Sequence, residues 1–294
     1  MVHLRKEFRI RQAETSDETD LRWLLQRKSF IHRHLGWTSP LTWLGRQPFY
    51  LLKEDNQGLV AALAFPRDED GTVWLRLFAV APGCSVALAW RKLWPAGLEW
   101  HQEYSSDSPI TSLAFSSEME NLLLASDFQE INQVISLVWD VTTARWPAVS
   151  QEFELRKMAP EDISRCYQID RKAFKPIWRN TVTQLQTAYQ EAFYASVIRV
   201  EGVVCGYQIS TTNPQGGHLA RLAVDPAFQK KGLGSKLLSD LLDRFFAAGI
   251  LDVSVNTQAD NQHSLDLYRK FGFIDLPEIY PVFQYNPDFY RTFI

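Results

Sequence analysis

The spacing of apolar positions changes period several times along the chain, and the sharpest change lies between residues 219 and 249. Leu219-Ala220-Arg221-Leu222-Ala223-Val224 is a short apolar run with one charge, ended by Asp225-Pro226, which predicts a strand stopping at a turn. Leu233, Leu237, Leu238, Leu241, Leu242, Phe245 and Phe246 then recur at helical spacing, opposite Lys236, Ser239, Asp240, Asp243 and Arg244, and Gly249 supplies a stop. Between strand and helix lies the loop Gln229-Lys230-Lys231-Gly232-Leu233-Gly234-Ser235. A strand, a glycine-bearing loop and a helix in this order aim unpaired backbone N–H groups and the positive helix end at one point, where an anion such as a pyrophosphate can sit. A side chain at either glycine would block close approach of the backbone. A dinucleotide fingerprint would need glycine where Leu237 stands, and a P-loop would need Gly-Lys after a four-residue gap from Gly232; neither is present.

The same alternation appears twice. Phe8-Arg9-Ile10-Arg11 reads as a strand leading through Thr15-Ser16-Asp17, a helix-cap pattern, into Leu21, Trp23, Leu24 and Leu25. Phe153-Glu154-Leu155-Arg156 leads in the same way through Pro160-Glu161-Asp162 into Ile163, Cys166 and Ile169. Phe49-Tyr50 matches Phe193-Tyr194, Gly58-Leu59-Val60 matches Gly202-Val203-Val204, Val80-Ala81-Pro82 matches Val224-Asp225-Pro226, and Asp127-Phe128 matches Gly272-Phe273, all at a shift of 144 or 145. Anchors in order on nearly one offset predict a tandem repeat, with domains at 1–148 and 149–294 and a boundary near Trp146 to Gln151.

Composition narrows the class. The chain has 294 residues, enough for two domains of ordinary size. Its 46% hydrophobic and 22% charged residues place it among globular proteins. A net charge of −3 with no long basic run argues against nucleic acid or anionic membrane as main partners, although Lys230 and Lys231 form a local basic patch. Cys84, Cys166 and Cys205 have no metal spacing and an odd count, so reduced thiols and no metal are expected. The start, Met1 to Glu7, has no apolar signal core and no run reaches about 20 apolar residues, so a cytoplasmic protein is expected.

The loop fits Q-x-x-G-x-G, filled by Gln229, Gly232 and Gly234, and downstream come Asn261, Ser264, Tyr268 and Gly272-Phe273 in an N-x-x-(A/S)-x-x-x-Y-x-x-x-G-F arrangement. In this stretch the chain resembles the GCN5-related N-acetyltransferase (GNAT) superfamily. The resemblance implies an α+β fold: two tandem acyl-CoA N-acyltransferase folds, each a mixed, mostly antiparallel sheet flanked by helices, and a sheet splayed between the strands at 217–225 and 250–256. It implies acetyl-CoA as acyl donor, held by backbone of Leu222, Ala223 and Val224, by Gln229, Lys230, Lys231, Gly232, Leu233, Gly234 and Ser235, and by Asn261, which also fits a helix cap. It implies Tyr268 as the acid that protonates the departing CoA thiolate, a task open to a phenol of pKa about 10. Arg269 and Lys270 fit either the adenosine phosphate or solvated surface. Relatives often carry a glutamate five residues before the Asn; this sequence has Asn256, so a water chain or another carboxylate, Glu191 or Glu201, would have to serve, and His218 is the more attractive choice on pKa grounds.

In the first repeat the same register puts Ser85, Leu88 and Trp90 against Gln229, Gly232 and Gly234, and Leu123 against Tyr268. This predicts a degenerate copy that has no CoA pyrophosphate loop. Nine of the ten tryptophans lie in this half, Trp37, Trp43, Trp74, Trp90, Trp94 and Trp100 among them, and either core packing or an aromatic substrate pocket would explain them. The resemblance implies that the segment from Ile169 to Trp178 and the C-terminal stretch from Tyr280 to Tyr285 flank the acceptor groove, with Phe174, Trp178 and Tyr285 as an apolar wall, for which packing is the competing explanation. The expected activity is transfer of acetyl from acetyl-CoA to a primary amine, on a small molecule or a peptide N-terminus, by direct attack. The competing class is a non-catalytic acyl-CoA-binding module. Packing between the two domains is expected, and a homodimer is left open.

Overall fold

The computed structural model describes residues 7–34, 36, 38–55, 58–149 and 153–286; Trp37 and part of the expected boundary lie outside them. Two compact units are present, one made of residues 1–131 with 281–294, the other of 132–280. In chain order the first repeat contains β1 (Phe8–Gln12), α1 (Glu18–Arg27), β2 (Phe30–Arg33), β3 (Phe49–Glu54), β4 (Gly58–Ala64), β5 (Val73–Trp74), β6 (Leu77–Val80), α2 (Val86–Tyr104), β7 (Ile110–Leu113), α3 (Ser117–Leu124) and β8 (Phe128–Asp140). The second contains β9 (Glu154–Lys157), α4 (Ile163–Ala173), α5 (Val182–Gln190), β10 (Tyr194–Val200), β11 (Val203–Asn213), β12 (Gly216–Val224), α6 (Leu233–Ala247), β13 (Asp252–Gln258), α7 (Gln262–Lys270) and β14 (Ile274–Tyr285).

The duplication read from the sequence reaches the level of single hydrogen bonds. Arg11 pairs with Asp17, whose carboxylate also accepts the Glu14 N–H, and Arg156 pairs with Asp162, which accepts the Ala159 N–H. A β-bulge leaves Val60 unmatched between β3 and β4 and Cys205 unmatched between β10 and β11; the carbonyls of these two residues accept the N–H of Ala81 and Asp225, each at 2.8 Å. Asp127 (φ 61°) and Gly272 (φ 93°) share a left-handed turn before the last strand. Gly272 tolerates no side chain, because a Cβ there would stand 2.1 Å from the Thr143 carbonyl oxygen.

The division of the chain into compact units differs from its division into repeats. Residues 134–140 of β8 pair antiparallel with β13 in the second unit, and residues 282–284 of β14 pair with β7 in the first. Each unit thus takes its closing strand from the other repeat. The boundary near residue 148 describes the repeat and stays a proposal.

The second unit's sheet runs β9, β10, β11, β12, β13 and the end of β8, with only β12 and β13 parallel. Helix α6 covers one face of it: Leu233, Leu237, Leu238, Leu241, Leu242 and Phe245 are buried, whereas Phe246, expected on the same stripe, is 51% exposed. Each buried leucine contributes about 1.5–3 kcal/mol relative to an exposed one. In the first unit Trp90 and Trp94 stack at 5.3 Å between ring centroids, among Phe65, Phe78 and Phe128. Packing is therefore what these two tryptophans do, and the substrate-pocket alternative falls for them.

Candidate active site

Parallel pairing between β12 and β13 covers Gly217, His218 and Leu219 and then stops. At that point β12 carries a bulge: Ile209 faces Arg221 and Ser210 faces Leu219, leaving Ala220 unmatched. A bulge bends and twists its strand. From Ala220 to Val224, β12 keeps its partner β11 but among the described residues has no strand on the other side, while β13 continues to Gln258 against β8. The result is a splay with one free backbone edge, which includes Leu222, Ala223 and Val224.

The loop expected to hold an anion closes the far end of that edge. Gln229 Nε2 donates to the Val224 carbonyl at 3.1 Å, tying the loop to the strand end. Lys230 (φ 62°) and Gly232 (φ 93°) are both left-handed, and Gly232 is the N-cap of α6. No side chain caps this helix, and the first bond it makes from this end runs from Lys236 N–H to the Gly232 carbonyl. The N–H groups of Leu233, Gly234 and Ser235 are therefore the orphan donors of a helix start. A Cβ on Gly234 would meet Leu267, Leu222 and Val224 at 3.4–4.0 Å, so this residue lies where α6, α7 and β12 come together. Lys231 Nζ lies 5.2 Å from the Phe228 ring.

Asn261 caps α7: its Oδ1 accepts the Ser264 N–H at 3.3 Å and its Nδ2 donates to Thr257 Oγ1 at 3.3 Å. Tyr268 is 5% exposed, with its ring 5.5 Å from Phe273. Burial pushes its phenol up to about 12, against a hydrogen bond with Ser264 and the charge of Arg221. Arg269 pairs with Asp275 and Lys270 is exposed, in accord with solvated surface.

Among the base candidates, Glu191 is exposed at the end of α5 and Glu201 sits exposed in the β10–β11 turn; neither is on a strand of the splay. Asn256 accepts a hydrogen bond from Ser136 at 2.8 Å. His218 stands in the paired part of β12 with Nδ1 2.9 Å from Ser254 Oγ, and burial lowers its pKa, so the ring is neutral at neutral pH. Cys166 and Cys205 are buried thiols whose pKa values burial raises. Phe174 and Trp178 come together over β12 through Arg221, which lies 3.5 Å from the Phe174 ring centroid and donates to the Trp178 carbonyl. Tyr285 is elsewhere: its ring packs on Trp94 and Phe128 in the first unit.

Sequence reasoning set Asp170 in the acceptor segment and Arg221 in the apolar run but missed that the two pair. Asp170 is fully buried on α4 and accepts from both Tyr207 and Arg221. The signal that could have found it is the one aspartate two turns into an amphipathic helix beside buried Cys166 and Ile169.

The corresponding edge in the first unit is filled. β5 pairs parallel with β7, and β6 then runs on with β4 on one side and β2 on the other, Phe30 facing Val80 and Arg33 facing Leu77. The connection to its helix is also shorter, five residues (81–85) against eight (225–232) in the second repeat. Ser85 therefore stands where Gly232 does, a correction to the register that set Leu88 there, and its side chain accepts the Leu88 N–H.

A free sheet edge, an uncapped helix start reached through left-handed residues, and a buried phenol beside them can take an extended amide-bearing chain that ends in a phosphate anion. The sequence profile of the Acetyltransferase (GNAT) family matches residues 163–273. The chain is 31% identical over 118 residues to the N-alpha-acetyltransferase RimI of Mycobacterium tuberculosis, covering 38% of this chain and 72% of that protein. It is also 31% identical over 134 residues to an uncharacterised protein of Mycobacterium leprae, covering 42% of this chain and only 36% of the relative. Among solved structures, a tandem GNAT protein from the clavulanic acid biosynthesis pathway aligns with a TM-score of 0.64 at 15% identity, over 95% of this chain and 98% of that one. With two repeats of this fold and a relative matched over most of its length, the chain belongs to the GNAT acetyltransferase family.

Proposed function

We propose that the second unit transfers an acetyl group from acetyl-CoA to a primary amine, on a small molecule or a peptide N-terminus, by direct attack of the amine on the thioester. The observation that carries this reading is the free edge of β12 from Ala220 to Val224, ending at the uncapped start of α6. Pantetheine amides pair with Leu222, Ala223 and Val224 as an added strand, and the pyrophosphate takes the N–H groups of the 229–235 loop. Asn261 and the ammonium groups of Lys230 and Lys231 contribute at the two ends. Direct attack suits the cysteines: Cys166 and Cys205 are held as thiols, so neither serves as an acyl-carrying nucleophile. His218 is taken as the base: a neutral imidazole accepts a proton, and the residue stands in the last paired stretch before the splay. Phe174 and Trp178 form the acceptor side. Tyr285 drops out of that wall because its ring is packed in the first unit.

A screen of amines and of peptides with free N-termini for CoA release from acetyl-CoA tests this reading. Saturable release with at least one acceptor class is expected. Tight acetyl-CoA binding with no release across the panel would favour the non-catalytic module.

We further propose that the first unit takes no acyl-CoA, since β2 occupies the edge that the thioester arm would need. Calorimetry with acetyl-CoA should give one equivalent per chain. A second equivalent of comparable affinity would mean that β2 yields.

A further inference from the structure

Arg221 stands one residue past the bulge of β12, and its guanidinium is engaged on several sides. Nε donates to Asp170 Oδ2 at 2.7 Å and Nη2 to Asp170 Oδ1 at 2.8 Å, while Nη2 also donates to the Trp178 carbonyl at 2.7 Å. The Phe174 ring centroid lies 3.5 Å from its central carbon. Asp170 has no exposed surface and accepts two further hydrogen bonds, from the Tyr207 phenol at 2.6 Å and from the Asn180 N–H at 2.9 Å. A buried carboxylate met by four donors holds its partners to one geometry.

Two of these bonds end on the backbone of residues 174–180, which leave α4 at Phe174 in an extended conformation and contain only a 3-10 turn, Pro176–Trp178. Within this group, side chains rather than a strand ladder fix the segment. The first repeat shows the other outcome. There Leu77 stands in the register of Arg221 at this strand's shift of 144 and Leu25 in that of Asp170, while the neighbouring Arg76 pairs with Asp68 and faces Trp43. The segment that follows its helix lies along β6 as strand β2.

We propose that Arg221 is a positioning residue: through Asp170 and the Trp178 carbonyl it clamps residues 174–180 beside the free edge of β12 as the wall against which the amine acceptor is presented. This rests on the acetyl-transfer reading above for the acceptor's identity, and on the geometry alone for the clamp. The positive charge of Arg221 also works, as the smallest of three influences, against the upward push that burial gives the Tyr268 phenol.

The test uses the full chain carrying Arg221→Lys, which keeps the charge opposite Asp170 but cannot bridge it to the Trp178 carbonyl in a fork. Hydrogen exchange is read for peptides covering 174–180, acetyl-CoA affinity by calorimetry, and turnover with an alanine-initiated hexapeptide. Exchange across 174–180 should rise about tenfold or more as the bond holding Asn180 loosens, in line with loss of protecting hydrogen bonds. The hexapeptide KM should rise by about tenfold, with kcat within about threefold and the acetyl-CoA Kd within about twofold, as loss of acceptor positioning requires. A merely structural role would lower the active fraction and hence kcat at unchanged KM, and that result overturns the proposal, as does unchanged exchange. Tyr207→Phe, which removes one donor and leaves the ion pair, gives the same readouts in smaller measure should the lysine variant fold poorly. If the wild-type chain does not turn over the hexapeptide, the peptide reading of the function fails by itself, and exchange at 174–180 still decides the clamp.

Discussion

Replacing Tyr268 by phenylalanine is expected to lower kcat for acetyl transfer by about 10²–10³-fold, the range for loss of a positioned acid, with acetyl-CoA affinity unchanged. Only the hydroxyl is lost; the ring keeps its place against Phe273 in a core with Phe271 and Leu265. The stability change should be about 1 kcal/mol, the worth of one hydrogen bond. The phenol's pKa of about 12 shapes the role. It stays protonated across the working range, so no alkaline limb from Tyr268 is expected below about 12. A thiol's pKa is about 8.5, so full transfer from so weak an acid is uphill. Hydrogen-bond donation to the sulfur as it leaves is then the larger contribution, with the positive charge of Arg221 working in the same direction. With His218 as the proposed base, an acid limb is expected where the pH falls through its depressed pKa, above which the ring is neutral and can accept a proton. Full profiles of kcat against pH for wild type, Tyr268→Phe and His218→Asn separate the two roles. A kcat for Tyr268→Phe within threefold of wild type would withdraw the assignment.

The parts of this site that were legible in the sequence are those set by local rules. The strand before Asp225-Pro226, the stripe of α6, the stop at Gly249 and the cap at Asn261 each depend on a few neighbouring residues, and the structure places all of them. The repeat was legible because its anchors are turn and strand residues that keep their spacing. Phe246 was misplaced because it lies one step around the helix past Phe245, beyond the arc of the buried residues, where the surface turns to solvent. The Leu88 and Trp90 register failed for another local reason: a three-residue shortening between β6 and α2 leaves no trace in a single offset, and only the caps at Ser85 and Gly232 reveal it.

What the sequence did not reveal depends on pairing between distant segments. Nothing near residues 134–140 or 282–284 announces that each closing strand joins the sheet of the other repeat, because a strand's pattern specifies a buried face and not a partner. The filling of the β6 edge by β2 is of the same kind, and so is Arg221, a single charge in an apolar run whose meaning depends on an aspartate 51 residues away. Tyr285 went astray for this reason as well, since its strand leaves the second unit before reaching it.

Gly232→Trp is expected to weaken acetyl-CoA binding by about 100-fold or more, as when an anion loses its backbone cradle, in a chain that still folds. The position combines two demands. Its φ of 93° lies in the left-handed region, where any L-residue pays about 1–2 kcal/mol. A Cβ there meets nothing within 4 Å, so the protein itself does not resist the side chain. The empty volume faces the orphan N–H groups of Leu233, Gly234 and Ser235, and an indole placed there stands where the pyrophosphate must approach. Strain and occupancy can be separated at Gly249, which ends the same helix at φ 75° and where a Cβ would likewise meet nothing within 4 Å. Gly249→Ala should cost a similar backbone penalty in Tm and leave the acetyl-CoA Kd where it was, while Gly232→Ala should fall between Gly249→Ala and Gly232→Trp in affinity. Equal losses of affinity at the two glycines would show that helix strain, and not the space before α6, governs binding, and the anion site would then have to be sought away from the 229–235 loop.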